Sequence, residues 1–315
     1  MSFNIEFDYR FDTSNFFTDA ARSALEYAAQ LWEDEINDDF SDVPPGVAFT
    51  VGDPSGNRPG SRESVTLTEP IDDVRIFVGA NSPPFGVQND TALARAGFDG
   101  VDAMGDVFRS RIDNDFRGSG PVTNFEPFVG TMSFDPTPDN PWSFDLDSPA
   151  AGETDFVSVA AHEIGHVLGI SRSGIFKQIG AGASFNGPNA LSVNGGNPIP
   201  LESDLVHIEE GFKSDSTLMD PTSSEARETP TDSDLAILAD IGYDIDGFDA
   251  QGSTPPIATD SSETIFGTVL DDVIDGKGGN DELLGGAGND VLNGSSGDDL
   301  IYGEDGDDTL NGDAG

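Results

Sequence analysis

"HEIGHVLGISR", residues 162–172, is the stretch on which the reading of this chain turns. Residues four apart share one face of a helix, so His162 and His166 can both aim a ring nitrogen at a single metal ion. Glu163 lies beside that face, where its carboxylate reaches a water on the metal. Gly169 is placed to end the helix, because glycine takes the positive-φ conformation that turns the chain away. A helix is expected over 155–168, capped by Thr154 or Asp155, with Phe156, Val159, Ala160, Ile164 and Val167 facing inward. Two imidazoles do not close a metal site, however, and the next place a third could stand holds Arg172.

The chain contains three histidines, and two of them form this motif. The third is His207, in "DLVHIEEG" (204–211), and Met219 follows it in the turn-like "STLMDP" (216–221). The order H-E-x-x-H-x-x-G, a third histidine and then a methionine turn resembles the extended signature of the metzincin zinc peptidases. The resemblance spans about 155–243. Its long insertion between Gly169 and His207 is similar to that of leishmanolysin-like enzymes. It implies one catalytic zinc held by His162, His166 and His207, with Met219 packed beneath. Glu163 is then the general base that helps zinc-bound water attack a peptide bond. An acid such as Glu209 or Glu210, as in thermolysin-like sites, is the rival third ligand. Gly169 and the methionine turn speak against it. Serralysins place a tyrosine ligand just after the turn methionine, whereas Asp220 and Pro221 follow Met219 here, so water alone is expected at the fourth position.

From Gly267 a nine-residue period takes over: "GTVLDDVID", "GKGGNDELL", "GGAGNDVLN", "GSSGDDLIY", "GEDGDDTLN", then "GDAG". Aspartate recurs at Asp272, Asp281, Asp290, Asp299 and Asp308. An aliphatic residue stands two positions later, at Ile274, Leu283, Leu292, Ile301 and Leu310. Such a period marks a solenoid. The glycine-rich half supplies a turn with carbonyls free to face a cation, and the aspartate adds a charged oxygen. A disordered acidic tail would not keep an aliphatic residue at every ninth position. The pattern resembles the RTX repeats of secreted bacterial proteins, including the repeats that serralysins carry. That implies several structural calcium ions held by the five aspartates in a parallel β-roll. The first repeat, with Val269 and Leu270 in place of small residues, is expected to be a cap. The natural chain is expected to continue beyond Gly315.

Fifty-nine acidic residues against 14 basic ones give a net charge of −45. Nucleic acid and anionic membranes are thereby set aside as partners, and divalent cations favoured. No cysteine is present, which excludes disulfides and thiolate metal sites. No apolar run is long enough for a membrane span, and the N-terminus has no basic and apolar export signal. The RTX resemblance instead implies type I secretion machinery as partner and an extracellular location.

Strands are expected at 3–9, 46–51, 72–80 and 128–134. Ala21, Leu25, Ala28, Trp32 and Ile36 recur at helical spacing behind a Thr18 cap, and 231–243 reads as a second apolar helix. The stretches 53–70, 81–127 and 171–206 carry no assignable pattern. The expected fold is an α+β metzincin-like protease domain over 1–248, a twisted mixed sheet with an active-site helix and a C-terminal helix. A linker (249–265) and a β-roll (266–315) follow. The expected function is that of a secreted, monomeric zinc endopeptidase acting on protein or peptide, with substrate pairing along 128–134 as an edge strand. A calcium-dependent adhesin or matrix protein carrying a silent protease-like domain is the alternative.

Overall fold

Alternating apolar residues in β4 (Val74–Ala80) settle the layering of the first part of the chain. Val74, Ile76 and Val78 join one buried cluster, while Phe77 joins another on the opposite side. β4 is the second strand of a four-stranded sheet ordered β1 (Ile5–Phe11), β4, β6 (Val129–Phe134) and β5 (Ala94–Phe98). The first three strands run parallel, and β5 is antiparallel to β6. Helices cover one face, and the antiparallel pair β2 (Ala48–Gly52) and β3 (Arg62–Thr66) covers the other. The computed structural model describes residues 3–40, 42–56, 60–84, 92–98, 127–138, 141–170, 176, 183–212, 217–221, 226–248, 262, 264–266, 273–285, 289–303 and 306–315.

The strand expected at the sheet edge is interior. Every residue of β6 is buried because β4 and β5 flank it. β5, with the sequence "ARAGF", combines glycine, alanine and arginine, so no apolar alternation betrays it. β3 likewise lies in a stretch without an assignable pattern.

Helix α1 (Asp19–Glu33) starts where Thr18 accepts a hydrogen bond from the Ala21 amide. Its inward face is mostly alanine, which lets it approach α2 (Phe156–Val167) closely, and the Trp32 indole N–H donates to the Ala161 carbonyl at 2.9 Å. The helix stops before Ile36, which instead forms a bridge with Ile245. Asp155, not Thr154, caps α2, accepting from the Ser158 amide and hydroxyl. Thr154 belongs to β8 (Thr154–Asp155), paired with β7 (Trp142–Ser143). Arg227 grips the cap, donating through Nε and Nη2 to the Asp155 carboxylate at 2.5 and 2.9 Å.

The segment between α2 and His207 contains β9 (Ser184–Phe185), α3 (Pro188–Val193) and β10 (Ile199–Pro200). Gly187 at the start of α3 has no side chain to cap it. Asp240, at the end of α4 (Asp232–Asp240), does so from across the fold. Its carboxylate accepts from the Asn189 amide and side chain and from the Ala190 amide at 2.8–2.9 Å. Burial raises its pKa to about 7.

Residues from 264 onward form two three-stranded parallel sheets: β11 (Thr264–Phe266), β13 (Glu282–Leu284) and β15 (Leu300–Tyr302); and β12 (Val273–Asp275), β14 (Val291–Asn293) and β16 (Thr309–Asn311). Each strand pairs in register with the one 18 residues on, Leu283 with Ile301 and Leu292 with Leu310. Two nonapeptides therefore make one turn, and consecutive repeats lie in opposite sheets. Ile265, Ile274, Leu283 and Leu292 fill the space between the sheets. Leu310, expected inside, is 48 % exposed, because no described strand pairs beyond β16. Among the described residues the roll already includes Thr264 and Ile265, ahead of the expected 266, since Ile265 occupies the core position nine residues before Ile274. Most of the expected linker, and the expected ligand Asp272, lie outside the described residues, as do Arg172 and the cap residues Val269 and Leu270.

Candidate metal centre and calcium repeats

Gly169 performs the turn its position suggests, at φ +109. Its amide donates to the His166 carbonyl and the Ile170 amide to the Gly165 carbonyl, the paired bonds of a Schellman ending. The chain thus folds back over the last turn of α2, and the Ile170 carbonyl accepts the Nδ1–H of His166 at 2.8 Å. The Leu218 carbonyl accepts the Nδ1–H of His162 at 2.7 Å, and the Asp204 carboxylate that of His207 at 2.6 Å. With each Nδ1 placed to donate, a ring in its neutral form presents Nε2 as an acceptor.

These acceptors converge. One ligand atom from each of His162, His166 and His207 lies within 4.8 Å of the others, and the Nε2 atoms of His166 and His207 are 3.2 Å apart. Three nitrogens at ~2.0–2.1 Å from a tetrahedral ion stand about 3.3 Å from one another. The His166–His207 separation fits a shared zinc ion, and the three ligand atoms lie close enough together to meet at one cation. Desolvation, aided by the neighbouring His207 ring, lowers the pKa of His162 to about 4, so its metal-binding neutral form prevails at pH 7. Glu163, the neighbour of His162 on α2, is buried at 6 % exposure. Glu209 and Glu210 are exposed and stand outside the cluster.

Met219 is buried beneath the histidine helix. A Cβ on Gly165 would come within 2.5 Å of its Sδ, so glycine is what admits the methionine there. The same turn serves both sides of the centre. The Leu218 carbonyl orients His162, and the Met219 carbonyl accepts the Ile208 amide next to His207. Asp234 holds the turn from α4, its fully buried carboxylate accepting from the amides of Leu218 and Met219 at 3.1 and 3.2 Å. It also accepts from the Thr231 amide and hydroxyl as a capping box. Burial raises its pKa against these donors.

Asp204 and Asp234 escaped the sequence reading. The Thr231–Asp234 spacing is a legible capping signal, but nothing in it announces a link to residues 218 and 219. Burial would raise the pKa of Asp204, yet the Val206 amide and the His207 ring hold it below the ordinary value.

In the roll, Asp299 Oδ1 accepts the Asp281 amide at 2.9 Å and Asp308 Oδ1 the Asp290 amide at 3.0 Å, each bond joining one turn to the next. Asp299 Oδ2 is buried and has no hydrogen-bond partner among the described residues. At Gly285 a Cβ would strike both Asp290 Oδ2 and the Gly303 carbonyl of the following turn. A carboxylate oxygen and a carbonyl thus crowd one glycine-lined position, the oxygen donor set that a calcium ion takes.

Residues 257–292 and 284–315 each match the family model described as RTX calcium-binding nonapeptide repeat (4 copies). These repeats bind calcium, and the proteins that carry them are typically secreted. No curated protein and no solved structure matches the chain. Among the described residues, no helix is long and apolar enough to cross a membrane.

Proposed function

We propose that the chain is a secreted zinc-dependent metalloendopeptidase of metzincin type, with its protease domain before about residue 248 and its calcium-binding repeats after it. The observation that carries the reading is the convergence of three Nδ1-anchored imidazoles, two of them with Nε2 atoms 3.2 Å apart, with the buried Glu163 following His162 on α2. His162, His166 and His207 would hold the zinc, which when bound would supply Lewis acidity toward a peptide carbonyl and lower the pKa of a water to about 7. Glu163 would take the proton of the attacking water and deliver it to the departing amine nitrogen. Met219 and Gly165 form the packed floor under the histidines and touch no substrate.

β5, not β6, is the strand to which an extended peptide would add, since it ends the sheet and packs against α2. The test is hydrolysis of an unstructured protein such as casein by the calcium-loaded chain, with and without a zinc-selective chelator, alongside metal analysis. Chelator-sensitive cleavage with one zinc per chain supports the reading. A zinc-loaded chain that cleaves nothing returns the adhesin alternative, in which the buried Glu163 has no task.

A further inference from the structure

The three histidines are not held alike. His162 and His166 sit on α2 and donate to neutral carbonyls, whereas His207 sits on a loop and donates to the carboxylate of Asp204. The other oxygen of Asp204 accepts from the amides of Val206 and His207 at 3.0 and 3.3 Å. One carboxylate therefore fixes both the backbone and the ring of the same residue. Leu205 between them adopts φ +59, an unfavourable value for a branched side chain. There its amide donates a hydrogen bond to the Glu202 carbonyl, while the Glu202 amide donates to the His207 carbonyl.

We infer that Asp204 is a positioning residue for the metal centre: it orients His207 and strengthens it as a ligand, so that zinc affinity depends on a residue that touches no metal. A carboxylate on the far nitrogen of a ligating imidazole fixes its tautomer and raises its basicity. Asp204 is 47 % exposed on its side chain, and an exposed pair of this kind contributes little to fold stability. Its contribution should therefore show in the metal and not in the fold.

The inference rests on the zinc reading above, and the experiment separates the two. Zinc affinity is measured by competition with a chelator of known strength for the full chain, for Asp204→Ala and Asp204→Asn, and for His207→Ala with and without Asp204→Ala. Failure of the parent chain to bind zinc would overturn the metalloenzyme reading itself. With the parent binding, Asp204→Ala is expected to weaken zinc by about 10–100-fold, and Asp204→Asn by less. The unfolding midpoint of the metal-free protein should stay where it was. In the His207→Ala background the same substitution should change affinity by less than about twofold, since its only route to the metal is gone. Parent-like affinity in Asp204→Ala, or an equal loss without His207, would overturn the inference.

Discussion

The Nε2 atoms of His166 and His207 face each other across 3.2 Å although the two residues are 41 apart in sequence. One lies on the regular helix α2 and the other on a turn closed by the bridge between Leu201 and Ile208. In the segment between them Asp240 seats α3, and next to His207 the Met219 carbonyl accepts the Ile208 amide. A ligand delivered this way is as sensitive to its supports as to its own identity.

Replacing His207 with Ala should lower zinc content and proteolysis together, while Arg172→Ala should leave zinc bound. Metal analysis after dialysis against buffer decides it. Full zinc occupancy in the His207 variant would return the third position to Glu209 or Glu210.

Glu163→Gln keeps the shape of the side chain and removes its basicity. Zinc content should be unchanged, while turnover falls by about 10²–10⁴, the usual contribution of a general base. Near-normal turnover in the zinc-loaded variant would contradict the assigned role.

Asp234→Ala would strand the buried amides of Leu218 and Met219 and remove the α4 cap. A loss of at least about 2 kcal/mol in urea unfolding is expected. Zinc should also bind more weakly, because the Leu218 carbonyl is the partner of His162.

Asp240 gives the protein a pH dependence of definite sign. Its folded pKa, about 7, lies above the ordinary 3.8, so between those values the unfolded chain releases a proton that the folded chain retains. Raising pH through that window must favour unfolding, by at most about 1.4 kcal/mol per pH unit, with no further change above it. Relative to the parent, Asp240→Asn should gain stability steadily from pH 4 to 7. Parallel stability curves for the two proteins would show that Asp240 is ionised throughout.

Calcium should raise β-sheet circular dichroism of the full chain cooperatively at millimolar levels, the range of extracellular sites. Asp299→Ala, which removes the buried Oδ2, should shift the midpoint to higher calcium. Zinc content should not change when calcium is stripped with a calcium-selective chelator. If calcium controls folding in this way, the repeats would stay unfolded where calcium is scarce, because repulsion among the repeat aspartates would go unopposed.

Where chemistry follows a short period, it was legible in the sequence. The helix carrying His162 and His166, the ending at Gly169, the Thr18 cap of α1 and the ninefold aspartate pattern are all local. Each depends on residues within a turn or two of one another. The repeat region shows the limit of this. Its period was plain, yet the stacking of residue i on i + 18, which puts neighbouring repeats in opposite sheets, is a property of the closed coil. Ile265 kept the aliphatic spacing but lacked the aspartate, and so fell on the wrong side of the expected boundary.

What only the tertiary structure decided is how distant segments share polar partners. β5 forms a strand because β6 offers it hydrogen bonds, not because "ARAGF" prefers one. Asp204, Asp234 and Asp240 are three aspartates in a chain rich in acid, alike in sequence. One holds a ring, one a turn and one a helix start. Those roles arise because a polar group taken out of water must find a partner wherever the fold brings one, and composition carries no record of that distance.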